Sequence, residues 1–183
     1  MSHPWEAEWG ERSANFGRLL RMIDIWDGGR RYLATPDKGW SDLHGVDYVM
    51  KGGKRDVPIA ARVVDYWSGW GANPTFTVRY DYPLRPDVKT EWHRVAYGKD
   101  PAGFLLYAVL NSTQDGYMDA VLVNLESLRI VIRLAAVKYI VRENKGANDP
   151  KVKDSRYAVI EIDQFAGKRA VVPWRLSDEL ALI

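Results

Sequence analysis

The residues of this chain best placed to do chemistry together lie between His44 and Asp65, in the stretch HGVDYVMKGGKRDVPIAARVVD. Asp47 falls on the first of two β-forming runs and Arg62 on the second, with Gly52 and Gly53 turning the chain between them. A carboxylate on one strand beside a cation on the next is how a metal-dependent phosphodiesterase places its ion and its charge clamp over a scissile phosphate. Taken alone, Asp47 reads either as a metal ligand or as a polar residue on a solvated strand face.

Other candidates carry an ordinary explanation beside the chemical one. Glu6, Glu8 and Glu11 follow Pro4 at the start of an amphipathic run, where the helix macrodipole favours acids. Glu91 beside Thr90 fits the first turn of a helix as well as it fits a second metal ligand. His44 precedes Gly45 in a turn and could donate to a phosphate, or serve as an exposed loop residue. Basic and aromatic residues interleave at Arg30, Arg31 and Tyr32, and at Arg79, Tyr80, Tyr82 and Arg85, while Lys51, Lys54 and Arg55 cluster at the Gly-Gly turn. Such mixtures neutralise phosphates and stack bases, and a solvated surface collects them too. No GxxxxGK[ST], GxGxxG before a helix, GxSxG or HExxH occurs, which removes the common nucleotide-binding and hydrolase mechanisms.

Composition narrows the field further. A chain of 183 residues suits one domain with a real core, and 46% hydrophobic with 27% charged residues is an ordinary globular mix. With 26 basic against 24 acidic residues, net charge points to no partner class. The absence of Cys excludes disulfides, thiolate zinc sites and Cys nucleophiles, and three His make a His-rich zinc site unexpected. Eight Trp and ten Tyr exceed what a core of this size needs, so some are expected on a binding surface. The opening MSHPWEAEWGER is polar where a signal peptide needs an apolar run, and charges interrupt the apolar windows elsewhere. A cytoplasmic protein with no membrane segment is therefore expected.

The elements that must position these residues follow from periodicity. Pro4 to Asp27 predicts an amphipathic helix, with Gly28 and Gly29 beyond its end. Arg30 to Ala34 is a short strand and Thr35 to Gly39 a loop. Val46 to Met50, Val57 to Tyr66 and Thr75 to Tyr80 are expected as consecutive, largely antiparallel strands, because their connections are short. Lys89 to Tyr97 predicts a short helix, and Phe104 to Leu110 with Met118 to Leu125 a buried strand pair. Leu125 to Arg142 shows an apolar stripe opposite Arg129, Arg133, Lys138 and Arg142, predicting a second long helix with a solvated basic face. Tyr157 to Asp163 is a final strand, and Ser177 caps a short tail. The order implies an α/β (α+β) domain over residues 1 to 183, a mixed central sheet flanked by helices, with 143 to 183 a strand-containing extension.

With these pieces in place, residues 5 to 135 resemble the PD-(D/E)xK nuclease superfamily, in a degenerate phage-associated branch. An opening helix with Glu8 or Glu11, a strand with Asp47 in HGVDYVM, and the triplet Ala60-Ala61-Arg62 in VPIAARV occur in the superfamily's order. FTVRY, KTEWHRV with Glu91, FLLYAVL and MDAVLVNLESLR continue the likeness. The resemblance implies a restriction-endonuclease-like fold, Mg²⁺ held by Asp47 with Glu91, Asp65 or Asp37 as the second metal ligand, and Glu11 or Glu8 with Arg62 completing a catalytic set. The triplet departs from the pattern, with Ala60 at the second acid's place and Arg62 at the lysine's. Arginine cannot readily lose a proton, so Arg62 suits phosphate grip better than water activation.

Two readings result. The first is a phage-type protein acting on DNA, either a Mg²⁺-dependent endonuclease or a DNA-binding relative, with Lys51, Lys54, Arg55 and Arg79 contacting the nucleic acid. The second is a non-enzymatic factor whose aromatic-rich surface binds a protein partner, for example a host complex inhibited by a phage.

Overall fold

The computed structural model describes residues 33–36, 48–51, 57–64, 73–98, 102–113, 116–144 and 155–177. The expected helix from Pro4 to Asp27 lies outside them. The chain is mixed α+β and forms two compact units, one of Met1–Trp67, Pro101–Val123 and Pro173–Ile183, the other of Ser68–Asp100 and Asn124–Val172.

The first unit holds a six-stranded sheet built from β1 (Leu33–Pro36), β2 (Tyr48–Lys51), β3 (Val57–Val64), β5 (Phe104–Leu110), β6 (Tyr117–Asn124) and β9 (Trp174–Arg175), adjacent in that order. The two runs around the Gly-Gly turn pair antiparallel as expected, with Tyr48 opposite Ile59 and Met50 opposite Val57. Strand β1 pairs antiparallel with β2 and extends to Pro36, two residues into the stretch read as loop. Strand β3 then runs parallel to β5, Arg62 lying beside Tyr107. All seven residues of β5 are buried, as its unbroken apolar run FLLYAVL requires of a strand covered on both faces. Ile59, Phe104, Leu106, Ala108, Ala120, Leu122, Trp174 and Leu176 form the core on one face.

Strand β4 (Thr75–Asp81) is a strand as expected, but it does not continue this sheet. It belongs to the second unit, in a three-stranded antiparallel sheet ordered β4, β8 (Arg156–Glu161), β7 (Tyr139–Glu143). The reason is periodicity. TFTVRY buries only Phe76 and Val78, so it needs a partner that is also one-sided, and RYAVIE, burying Ala158 and Ile160, is one. The two-sided run of β5 suits the interior position beside β3 instead. The short connection from β3 to β4 does not make them neighbours, because β3 pairs parallel with β5 and a parallel pair requires a long crossover.

Helix α1 (Glu91–Tyr97) forms where KTEWHRVAY predicts it, burying Trp92 and Val95. The expected helix from Leu125 to Arg142 is corrected to α2 (Leu125–Arg133) followed by β7. The Asn124 side chain caps α2 by accepting from the Ser127 N–H at 3.0 Å. At the far end the Ala135 N–H donates to the Ile132 carbonyl and the Ala136 N–H to the Val131 carbonyl, with Ala135 at φ 51°. That is a Schellman stop with alanine in the position glycine normally fills. The β-branched run after it then pairs with β8, Ile140 beside Val159 and Arg142 beside Tyr157. Among the described residues no helix is long and apolar enough to cross a membrane.

Candidate nucleic-acid interface

The second sheet sorts its side chains by alternation. Phe76, Val78, Ala158 and Ile160 point to its buried face, where the Phe76 and Phe165 rings lie 6.4 Å apart. A bulge between Arg79 and Asp81 sets Asp81 opposite Arg156, and the two join in a bidentate ion pair, Nε to Oδ1 at 2.7 Å with Nη2 on Oδ2. Tyr80, the residue the bulge inserts, packs with Trp92 at 5.4 Å and Tyr139 at 6.2 Å. The Thr90 hydroxyl donates to the Tyr80 carbonyl at 2.6 Å, so Thr90 stands at the expected cap position of α1 while its side chain ties the helix to β4. Burial raises the Tyr80 phenol above its ordinary range, and Tyr139 and Asp81 add to this while Arg156 opposes it.

The opposite face of this sheet remains half-exposed to exposed, carrying Thr75, Thr77 and Arg79 on β4, Tyr157, Val159 and Glu161 on β8, and Ile140 and Arg142 on β7. Register aligns Arg79, Tyr157 and Arg142 in one row across the three strands, with Thr77, Val159 and Ile140 in the next. Arg79 Nη2 meets the Tyr157 hydroxyl at 3.4 Å, and its guanidinium carbon lies 5.7 Å from the Tyr157 ring centre and 5.6 Å from that of Tyr82. Arg85 stacks more closely on Tyr82, at 4.2 Å. Burial acts to lower the Arg79 pKa, but Tyr157, Tyr82 and Glu91 outweigh it and the net shift is upward, so Arg79 stays charged. Its Nε is buried without an acceptor among the described residues. Within the described part of this unit, basic residues outnumber acidic ones.

The residues singled out from sequence fall into three groups. Arg79 stands in the row just described, and Glu91, the first residue of α1, accepts the Arg79 backbone N–H at 3.0 Å. Arg62 lies on β3 in the first unit, on the strand face opposite the one that packs Ile59, Ala61 and Val63 into the core, and Lys51 ends β2. Asp47, Asp37, Asp65, Glu11, Glu8, Lys54, Arg55 and His44 lie outside the described residues. Among the described residues no group of three or more His, Asp or Glu side chains could hold a metal ion.

Sequence reading misses the roles of three residues, Arg142, Tyr157 and Asp119. Arg142 was assigned to a helix stripe, and only the alternation of KYIVRE, matched to that of RYAVIE, places it beside Tyr157. Asp119 is the third. It is 3% exposed on β6, where Oδ2 accepts from Arg175 Nε at 2.9 Å and Oδ1 accepts the N–H groups of Ala120 at 2.8 Å and Ser177 at 3.2 Å. A lone acid inside the apolar run YMDAVLV was the available signal, since a buried carboxylate demands a partner.

No family model matches the chain, and no curated protein matches it. Among solved structures it is similar to a nuclease from a fusselovirus, at 13% identity over 88% of each chain with a TM-score of 0.40.

Proposed function

We propose that this protein binds DNA through the half-exposed face of its second sheet. The observation that carries the reading is the row Arg79, Tyr157, Arg142, which sets a ring between two guanidinium groups in register. Guanidinium forks bond phosphate oxygens, and a ring face stacks on any base, so the row has the two parts that sequence-independent binding requires. Arg85, stacked on the buried Tyr82 ring, adds a further guanidinium on the chain leaving β4.

The test is DNA affinity across a salt series. Binding should weaken steeply as salt rises, and Arg142→Ala should lower the log-log slope by about 0.9 on duplex or about 0.7 on a single strand if it removes one phosphate contact. Arg62, Lys51, Lys54 and Arg55 belong to the first unit, so Arg62→Ala and neutralisation of the other three should leave binding through this sheet unchanged. No binding at low salt, or a slope unchanged by Arg142→Ala, would count against it.

Cleavage is the second part of the proposal and is supported by the sequence resemblance alone. Among the described residues no three His, Asp or Glu side chains come together to hold magnesium. In this reading Asp47 holds the ion and Arg62 grips the phosphate, while the loss of the superfamily's lysine leaves turnover slow. Asp47→Asn should abolish Mg²⁺-dependent cleavage, and undiminished cleavage by the pure variant would exclude that assignment.

A further inference from the structure

The geometry points to single-stranded nucleic acid, rather than duplex, as the ligand of this sheet face. The inference rests on the nucleic-acid reading above and adds the strand state. Three antiparallel strands about 4.8 Å apart make a shallow platform roughly 10 Å wide. A duplex keeps its base faces stacked inside and would offer this face its phosphates alone, since reaching its bases takes a helix or a two-stranded ribbon in a groove. A broad sheet face matches bases that are already splayed from their partners and can lie flat on it.

The side chains on the platform fit unpaired bases better than a duplex backbone. Tyr157 occupies the central strand, where a base can stack on it, and Arg79 holds the ring through its hydroxyl. The next row is apolar towards β7, with Val159 beside Ile140, and Ile140 is 58% exposed. Phosphates and sugars offer such a surface nothing, whereas an unpaired base brings an apolar face that gains by covering it. Charge also gives the platform a direction. Arg79 and Arg142 flank Tyr157 at one end of β8, and exposed Glu161 ends the strand at the other, so phosphates collect at the arginine end.

The experiment is fluorescence anisotropy on the full chain with a short labelled oligothymidine, an oligouridine of equal length and a duplex of the same length, at low salt. A single strand should bind about tenfold or more tightly than the duplex, and Tyr157→Leu should weaken that binding about tenfold while Tyr157→Phe, which keeps the ring, retains most of it. An oligodeoxyuridine arm removes the thymine methyl from the comparison, so preference between it and oligouridine assigns the sugar, and either preference agrees with the inference. Duplex binding as tight as single-strand binding would overturn it while leaving the nucleic-acid reading intact. So would a folded Tyr157→Leu protein of unchanged affinity, with circular dichroism as the check on folding. Failure of every probe to bind would remove the nucleic-acid reading itself.

Discussion

Asp119 and Arg175 tie β9 to β6 through a buried carboxylate whose bonds come from a guanidinium and two backbone N–H groups. Removing the cation takes the guanidinium from a buried anion, and breaking such a pair costs up to roughly 3–5 kcal/mol. Arg175→Ala should therefore lower the urea midpoint strongly, and a shift of only a few tenths of a molar would show that the pair contributes little. Tyr80 offers a test by pH instead. Its folded pKa is raised, so its contribution to stability is complete below about pH 10 and is lost as pH climbs from there towards the raised value. Tyr80→Phe should flatten the alkaline fall in stability, measured as thermal midpoints between about pH 9 and 11. An unchanged alkaline slope in the variant would assign the fall to other groups.

Among the elements, the end of α2 is where sequence and structure part most clearly. LESLRIVIRLAAVKYIVR carries a helical stripe along its whole length, and no glycine or proline marks a stop. The stop is nevertheless built, with Ala135 held at φ 51° at a cost of about 1–2 kcal/mol for a residue with a Cβ. Pairing of Tyr139–Glu143 with β8 outweighs that cost, a tertiary gain that no local window can register. Ala135→Gly should raise stability by about 1 kcal/mol, seen as a higher denaturation midpoint, and a lower midpoint would mean that the alanine methyl contributes packing. Helix α1 shows the legible case, since Gly98 at φ 72° ends it where a glycine was available to read. The hairpin of β2 with β3 was legible for a similar reason, because the Gly-Gly turn and the alternation on both sides agree. The assignment of β4 was legible as a strand and illegible as to sheet, because its partner β8 begins 75 residues further along the chain at Arg156, opposite Asp81. Charges at Lys138 and Arg142 also guard β7, whose outer edge has no strand neighbour among the described residues.

For the whole molecule, the sheet that carries Asp47's neighbours and the sheet that carries Arg79 belong to different compact units. The interleaved Arg79, Tyr80, Tyr82 and Arg85 were visible in sequence as a basic and aromatic mixture. What alternation and register add is a division of labour within it. Tyr80 turns to the face of Phe76 and Val78, beside Trp92 and Tyr139, while Arg79 turns to the opposite face with Tyr157 and Arg142. The most direct measurement is amide chemical-shift mapping by two-dimensional NMR as a short single-stranded oligonucleotide is titrated into the full chain. Binding through the open sheet predicts perturbations concentrated at Thr77, Arg79, Tyr157, Val159, Ile140 and Arg142, with residues of the first unit's core such as Leu106 and Leu122 little changed. Saturable shifts confined to the first unit, with the β4, β8 and β7 amides unmoved, would contradict it.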